Sequence, residues 1–456
     1  MNINSLIFFF ALLFVVACSP QNASKKTGPT LSFDSLAVTP PMGWNSYDCF
    51  GTTVNEGQVR SVTDYMAANL SKYGYKYIVI DAGWFYAKDP VSHKRTVTLD
   101  PFGRFIPDTA HFPSAKDGHG FKALAAYVHS KGLKFGLHLM RGIPKDAVSK
   151  KTSVKGTSYF ASDIANLKDS CDWSDLMWGL NMEKPGAQEY YNSVFELFAE
   201  WNLDFVKIDD ISYPFHGAEI EGVHKAIQNT KTPMVISLSP GPAPTAQLTN
   251  LAKYAHLWRI SDDFWDDWKL LKNQFRLCHQ WDSIHIPGHW PDADMLPLGR
   301  LRKNHGMVSD KEKTTGDYSH FTDPEKYTLM TLWSIFKSPL ILGGYLPEND
   351  SVTTRLITNE EVIALNQKSS NNHEIRNSNG IVIWIADLPG TQAKYVAIFN
   401  TNDEKPETIS FTGKEIGVDG EQNLRDLWAK KDLEKFTGEL SVQVEPHACR
   451  LFKIGK

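Results

Sequence analysis

The stretch Asp204-Phe205-Val206-Lys207-Ile208-Asp209-Asp210 is a short apolar run that ends in acidic residues, and a helical pattern from Ala187 to Trp201 precedes it. The apolar residues of that pattern recur every three or four positions, as on one face of a helix. The same alternation of strand and helix occurs about eight times along the chain. This repeat predicts an α/β fold with a (β/α)₈ barrel, and consecutive doubly wound units are the alternative. The other expected strands are Met42 to Asn45, Tyr77 to Asp81, Leu133 to His138, Met234 to Leu238, Leu257 to Ile260, Ile284 to Ile286 and Pro339 to Leu342, and the other expected helices are Val59 to Tyr73, Phe121 to Ser130 and Tyr327 to Phe336.

The pattern changes after about Gln367. The runs Ile381 to Ala386, Tyr395 to Asn400 and Ser441 to Val444 favour strands, and Gly, Asn and Pro lie between them with little helical periodicity. We therefore expect the barrel over residues 36–366 and a smaller, antiparallel β-sandwich-like domain over residues 367–456.

The N-terminus has the pattern of a targeting segment. Ile7 to Ala17 is apolar but shorter than the roughly 20 residues that span a bilayer. It ends in Val15-Val16-Ala17-Cys18, which resembles a bacterial lipoprotein signal with Cys18 as the lipidated residue. An ordinary cleaved signal peptide is the alternative. We expect a signal over residues 1–18, a tether over residues 19–35, and a protein anchored by lipid in the bacterial envelope, in the periplasm or at the cell surface.

The composition is that of an ordinary globular protein. Among 456 residues, 48 Lys and Arg stand against 52 Asp and Glu, which gives a formal net charge of -4. This balance argues against a basic nucleic-acid binder. Membrane contact is expected only through the lipid anchor, no cofactor or metal is expected, and the sequence predicts no oligomeric state. Beyond the signal, Cys49, Cys171, Cys278 and Cys449 allow three full pairings, among which the sequence does not choose.

Polar residues at the ends of barrel strands are the first candidates for chemistry. In the fourth strand, the two-residue period places Lys207 and Asp209 on one face. A neighbouring ammonium would keep Asp209 ionised, as a carboxylate nucleophile must be. A buried structural Lys-Asp pair is the alternative.

A second group of acids follows the sixth strand, in Trp258-Arg259-Ile260-Ser261-Asp262-Asp263-Phe264-Trp265-Asp266-Asp267. One of them, among aromatic rings, would have the raised pKa of a general acid. Helix capping and a solvated acidic face are the alternative, above all for Asp266 and Asp267. Two such carboxylates suit glycoside hydrolysis. A metal-dependent hydrolase using His138, Asp209 and Asp263 is a weaker interpretation, because metal sites of that kind normally cluster several histidines.

The chain also resembles a known family, glycoside hydrolase family 27, the retaining α-galactosidases. The resemblance is carried by segments that occur in the family's order from about residue 39 to 452. They are Thr39-Pro40-Pro41-Met42-Gly43-Trp44-Asn45-Ser46-Tyr47, Ile80-Asp81 with Trp84, Gly132-Leu133-Lys134-Phe135-Gly136, Lys207-Ile208-Asp209, Trp258-Arg259 with an acid four residues after the arginine, Trp290-Pro291-Asp292-Ala293-Asp294-Met295-Leu296, Glu361-Val362-Ile363-Ala364-Leu365-Asn366-Gln367 and Arg425-Asp426-Leu427-Trp428.

The resemblance implies a barrel with a C-terminal β domain and assigns roles by position. It places the nucleophile at Asp209 and the acid/base at Asp263 rather than Asp262. Arg141 either points inward as a donor to substrate or outward as a surface charge. The substrate-binding residues expected on this basis are Trp44, Tyr47, Asp81, Trp84, His138, Arg141, Lys207, Arg259 and Trp290.

Three departures from the family pattern bear on specificity. Family members usually carry two consecutive acids after the second strand, where this chain has Asp81-Ala82. The third strand normally continues Tyr-Ser-Asp, where this chain has His138-Leu139-Met140 and then Arg141. Asp210 and Ile211 follow the nucleophile in place of the usual cysteine, which argues against the family's pocket disulfide.

Three hypotheses about function follow. The leading one is a retaining exo-glycosidase that releases a terminal α-galactosyl residue, or a similar one such as β-L-arabinopyranosyl, from an oligosaccharide or polysaccharide. The second keeps the mechanism for another sugar, such as an α-glucosyl unit of a dextran-like glucan or a modified galactose. The third, a non-catalytic glycan-binding lipoprotein, is disfavoured because Lys207, Asp209, Arg259 and Asp263 are all present.

Overall fold

The computed structural model describes residues 33–88, 95–284, 286–303 and 317–455. The expected signal over residues 1–18, its lipidation site Cys18 and residues 19–32 of the expected tether lie outside the described residues. The last three tether residues, Phe33–Ser35, form a short 3₁₀ helix.

The barrel is built from parallel strands. They are β1 Met42–Asn45, β2 Tyr77–Ile80, β3 Lys134–Met140, β4 Phe205–Asp209, β5 Val235–Leu238, β6 Leu257–Arg259, β7 Trp290–Asp292 and β8 Leu340–Leu342. In the described part of the chain these eight strands form one sheet in the order β7-β6-β5-β4-β3-β2-β1-β8. A parallel bridge between Leu296 and Leu342 joins the segment after β7 to β8, and the Leu296 N–H donates to the Ile341 carbonyl at 2.7 Å. The predicted (β/α)₈ barrel is therefore confirmed.

One predicted strand was wrong. The seventh strand is Trp290–Asp292 and not the apolar run that begins at Ile284. Ile286 instead forms an isolated antiparallel bridge with His289 in the turn before β7. The strand Trp290–Asp292 is not recognisable from its sequence pattern because it contains Pro291. Proline removes a backbone donor and normally argues against a central strand.

Helices follow the strands in turn. They are α1 Glu56–Asn69, α2 Lys122–Ser130, α3 Ala187–Glu200, α4 Gly217–Thr230, α5 Leu248–Tyr254, α6 Trp268–Trp281, α7 Asp323–Phe336, α8 Ser351–Ile357 and α9 Glu360–Lys368. Shorter helices are Tyr47–Phe50, Lys145–Ser149, Ala161–Ile164 and Gly413–Ile416, and short strands outside the barrel are Tyr86–Lys88, Arg95–Val97, Ile143–Pro144, Ala165–Ser170 and Met177–Leu180.

Capping fixes where α6 begins. The Asp267 carboxylate accepts from the backbone N–H groups of Lys269 at 2.8 Å and Leu270 at 3.3 Å, so the expected capping role is confirmed. The expectation of a solvated face was wrong for Asp266, which is buried and ion-paired with Arg302.

The C-terminal domain is antiparallel, as expected. Its strands are β9 Ser370–Ser378, β10 Ile381–Asp387, β11 Lys394–Asn400, β12 Glu407–Thr412, β13 Leu424–Asp426, β14 Lys431–Asp432, β15 Glu439–Val444 and β16 Cys449–Ile454. They form a sheet in the order β9-β10-β11-β16-β13-β14 and a second sheet that pairs β12 with β15. Apolar side chains of both sheets, among them Ile398 and Phe411, meet in one core. This is the β sandwich expected from the sequence.

Two further features concern the described residues only. No helix there is long and apolar enough to cross a membrane. Cys49, Cys171, Cys278 and Cys449 are all buried and unpaired with one another, so none of the allowed disulfide pairings is formed.

Candidate active site

A cavity of about 780 Å³ opens where the C-terminal ends of the barrel strands meet. Barrel enzymes carry their active sites at this end. Its floor is formed by buried or half-buried polar side chains, and its mouth by exposed ones. The side chains that line it include Tyr47, Asp81, Ala82, Tyr86, His138, Met140, Lys207, Asp209, Asp262, Asp263, Trp265, Asp294 and Met295, with residues 171–175 along one wall.

Lys207 joins two carboxylates at the cavity floor. Its Nζ lies 2.9 Å from Asp81 Oδ2 and 3.5 Å from Asp209 Oδ1. Burial raises the pKa of Asp209, but the positive charge of Lys207 and the contact with His138 outweigh burial and hold this pKa well below its ordinary value. The pKa of Asp81 is lowered in the same way, against its burial, chiefly by Lys207. Both carboxylates are therefore ionised at neutral pH.

His138 fixes the orientation of Asp209. Its Nε2 lies 3.0 Å from Asp209 Oδ2, and β3 places it beside Lys207 on β4. Among the described residues, Asp209 Oδ1 is buried without a hydrogen-bond donor, and the Lys207 ammonium is its neighbour at 3.5 Å. His138 and Lys207 thus fix the orientation of the Asp209 carboxylate.

Both carboxylate oxygens of Asp81 accept hydrogen bonds from protein groups. Its Oδ2 accepts from Asn45 Nδ2 at 2.7 Å as well as from Lys207, and its Oδ1 accepts from the Ala82 N–H at 2.7 Å. Ala82 itself lines the cavity with a methyl group, next to this carboxylate.

Asp263 lies at the mouth, on the loop between β6 and α6. Its side chain is 61% exposed, and Oδ1 lies 3.3 Å from Arg259 Nη2. Arg259 is buried, and the same nitrogen contacts Asp294 Oδ2 at 2.6 Å. Asp294 Oδ2 also accepts from the Phe264 N–H at 2.8 Å. Arg259 and Asp294 therefore hold the backbone and side chain around Asp263.

Asp294 has an unusual pKa for a carboxyl group. Burial raises it to about 7, Asp263 adds to the rise, and Arg259 opposes it. Sequence analysis did not give Asp294 or Asn45 a role, although Asn45 ends β1 and Asp294 follows β7, and the rule that barrel chemistry lies at strand ends would have found them.

Besides Arg259, four residues expected to bind substrate lie outside the cavity lining. Trp44 is fully buried and donates to the Gly344 carbonyl at 2.8 Å. Trp84 is buried among aromatic rings such as Trp201 and donates to the His138 carbonyl at 2.9 Å. Trp290 donates to the Ala37 carbonyl at 2.7 Å, at the opposite end of the barrel from the cavity. These tryptophans pack the protein rather than line its pocket.

Arg141 is the fourth. It points inward, but to protein carboxylates rather than to the cavity. Its guanidinium binds Asp169 at 2.9 and 3.0 Å, Glu219 at 2.7 Å, and Asp210 at 2.8 and 3.2 Å. Its Nε also donates to the Asp210 carbonyl at 2.6 Å. The inward orientation is therefore the observed one, but the side chain is buried and fully paired with protein groups and is not a donor to the cavity.

The ligand atoms of Asp81, His138 and Asp209 lie within 4.8 Å of one another, as those of a metal site do. The Lys207 ammonium, however, lies against both carboxylates, where a cation would bind. The charge of these residues thus fits a lysine-supported carboxylate better than a metal centre.

This arrangement defines a class of protein. Glycoside hydrolases need two carboxyl groups on either side of the bond that they cleave. This barrel cavity has a buried, ionised carboxylate at its floor and a second carboxylate at its mouth. Comparison with known proteins agrees: a model of alpha galactosidase A matches residues 39–153 and 165–368, and a model of the alpha galactosidase C-terminal beta sandwich domain matches residues 378–454. The chain belongs to glycoside hydrolase family 27.

Relatives in this family differ in their sugars. A solved β-L-arabinopyranosidase of the family from Geobacillus stearothermophilus is 41% identical with a TM-score of 0.88, and the match covers 93% of this chain and 98% of that one. A second structure of that enzyme is a complex with arabinose. An α-galactosidase from Cyamopsis tetragonoloba is 28% identical over 92% of this chain and 87% of its own.

Proposed function

We propose that the protein is a retaining, exo-acting β-L-arabinopyranosidase that hydrolyses α-galactosides more slowly. The observation that carries the proposal is the cavity floor, where Asp81, Lys207 and Asp209 form a charged site and Ala82 stands beside it. The 41% identical β-L-arabinopyranosidase supports the choice of sugar.

Asp209 is the proposed nucleophile. Its pKa is held low, so it is ionised, and His138 and Lys207 lie against its two oxygens and orient them. One carboxylate oxygen attacks the anomeric carbon and forms a glycosyl ester as the bond to the leaving oxygen breaks. The ester carbonyl then carries no charge, so Lys207 is left to balance Asp81.

Asp263 is the proposed acid and base. It stands at the mouth, where the leaving group must lie, and Arg259 and the backbone contact of Asp294 fix its loop. Asp263 protonates the leaving oxygen, then takes a proton from the water that attacks the glycosyl ester. Two displacements return the sugar with its original anomeric configuration.

Ala82 decides between the two sugars. α-D-Galactopyranose and β-L-arabinopyranose share the same ring and hydroxyl arrangement, but arabinopyranose lacks the hydroxymethyl group (C6) that galactose carries on C5. The Ala82 methyl group cannot accept a hydrogen bond from a C6 hydroxyl. A galactoside would therefore bury that hydroxyl without the acceptor that a second carboxylate supplies, whereas an arabinopyranoside has no such hydroxyl to satisfy.

The test compares p-nitrophenyl β-L-arabinopyranoside with p-nitrophenyl α-D-galactopyranoside on the full chain. We expect kcat/KM to favour the arabinopyranoside by about tenfold or more, and Ala82→Asp to shift the ratio towards galactoside. Ala87→Asp is the control, because Ala87 is close in sequence but does not line the cavity. Efficient hydrolysis of the galactoside by the wild type, with no effect of Ala82→Asp, would make ordinary α-galactosidase activity the function.

A further inference from the structure

The cavity extends well beyond its charged floor. One wall is formed by Cys171, Asp172, Trp173, Ser174 and Asp175, which follow the strand Ala165–Ser170. A single pentose ring over Asp209 occupies only part of a 780 Å³ cavity. The floor residues are buried and the wall residues are largely exposed, so the wall lies on the side towards which a leaving group points.

Trp173 is the conspicuous member of this wall. Its side chain is 57% exposed although it lines a cavity. An exposed indole is a large flat apolar face beside the hydrogen-bonding groups of Asp172, Ser174 and Asp175. Sugars present the same combination, an apolar C–H face with hydroxyl groups around its edge, and bind well to such surfaces.

Contacts connect the 171–175 wall to the strand β4, which carries the proposed nucleophile. Cys171 is buried, and burial together with the neighbouring Asp210 carboxylate raises the pKa of its thiol. Asp169, at the end of the preceding strand, is held by Arg141 through two hydrogen bonds. Arg141 also binds Asp210, the residue after the nucleophile. The backbone on either side of these contacts is thereby held near Asp209, so the segment that carries Trp173 starts from an anchored point, which lowers the entropic cost of binding.

We propose that the 171–175 wall is a binding site for a saccharide leaving group, which stacks on Trp173. This inference rests on the proposed glycosidase function and extends it: the substrate is a terminal sugar linked to another sugar ring. Glycosides with small leaving groups do not reach the wall and therefore gain no binding free energy from it.

The experiment compares β-L-arabinopyranosyl-(1→3)-L-arabinose with β-L-arabinopyranosyl fluoride, whose leaving group does not reach the wall. For Trp173→Ala we expect kcat/KM on the disaccharide to fall about tenfold or more relative to the fluoride, since each tenfold corresponds to about 1.4 kcal/mol of lost binding. Trp173→Phe, which keeps a flat ring, should restore most of the loss. Melibiose and α-galactosyl fluoride form a second pair, which tests the wall even if the sugar preference proposed above is wrong.

Leu167→Ala is the matched control, because Leu167 is 59% exposed on the adjoining strand and does not line the cavity. It should keep the wild-type ratio. Equal losses of Trp173→Ala on disaccharide and fluoride would overturn the leaving-group site while leaving the proposed hydrolase intact. Failure of the wild type on all four compounds would overturn the proposed function and the site together.

Discussion

Asp263 and Asp262 are neighbouring exposed acids that line the same cavity, yet their contacts differ. Arg259 approaches Asp263, whereas Asp262 Oδ1 accepts the Asp263 N–H at 2.9 Å and so supports the loop. Sequence alone assigned Asp263 only through family spacing. The contact with Arg259, visible once the loop is folded, fixes the position of the Asp263 carboxylate at the cavity mouth and supports that choice by position only.

Replacement of Asp263 should lower activity most on substrates whose leaving group needs a proton. We expect Asp263→Ala to lower kcat/KM by about 100-fold or more on a disaccharide but far less on an activated aryl glycoside. Steady-state kinetics on both substrates checks this, with Asp262→Ala as the control. If Asp262→Ala showed the selective loss instead, the acid would be Asp262.

At the scale of elements, most of the site residues that could be predicted from the sequence lie at the ends of barrel strands. Alternation along β4 placed Lys207 and Asp209 on one face, and both line the cavity. The roles of Trp84 and Arg141 could not be predicted, because their partners come from distant segments such as Trp201 and Glu219. The strand β7 was missed because its proline breaks the local pattern, while pairing with β6 stabilises it in the barrel.

The network around Arg141 joins β3 to the end of β4. Burial raises the pKa of Asp210 and of Glu219, and Arg141 opposes the rise in both. Arg141→Met would leave these acids buried without their cation, so we expect a loss of about 3–5 kcal/mol in the free energy of unfolding. Denaturant unfolding monitored by tryptophan fluorescence measures it.

Lys225→Met is the control for this loss. It breaks the exposed helical pair with Glu221 and should cost less than about 1 kcal/mol. Equal effects of the two substitutions would show that the Arg141 network adds little to the stability of the barrel.

At the scale of the whole molecule, the described chain begins by covering the bottom of the barrel. The Phe33 ring packs 3.9 Å from the His256 ring and 4.5 Å from that of His224, centroid to centroid. His256 Nδ1 accepts from the Ile236 N–H at 2.9 Å, and Nε2 contacts the Phe33 carbonyl. His289, stacked near His256, faces Asp34. This arrangement requires His256 to be neutral.

This end of the barrel should therefore weaken in acid. Burial lowers the pKa of His256 to about 3, and burial also lowers that of His224. In the unfolded chain His256 binds its proton near pH 6.5, so stability is full above that pH and is lost as the pH falls towards 3. His256→Asn, which keeps an acceptor for Ile236 but does not titrate, should flatten the curve of unfolding free energy against pH in this range. An unchanged curve would exclude His256 as a cause.

The central claim is that Asp209 forms a glycosyl ester and that hydrolysis therefore retains configuration. Proton NMR of the first sugar released from p-nitrophenyl β-L-arabinopyranoside, recorded before mutarotation, tests it most directly. The account predicts that the β anomer appears first and that the α anomer grows in only later. Release of the α anomer first would mean a single displacement by water, and Asp209 could then not be the nucleophile.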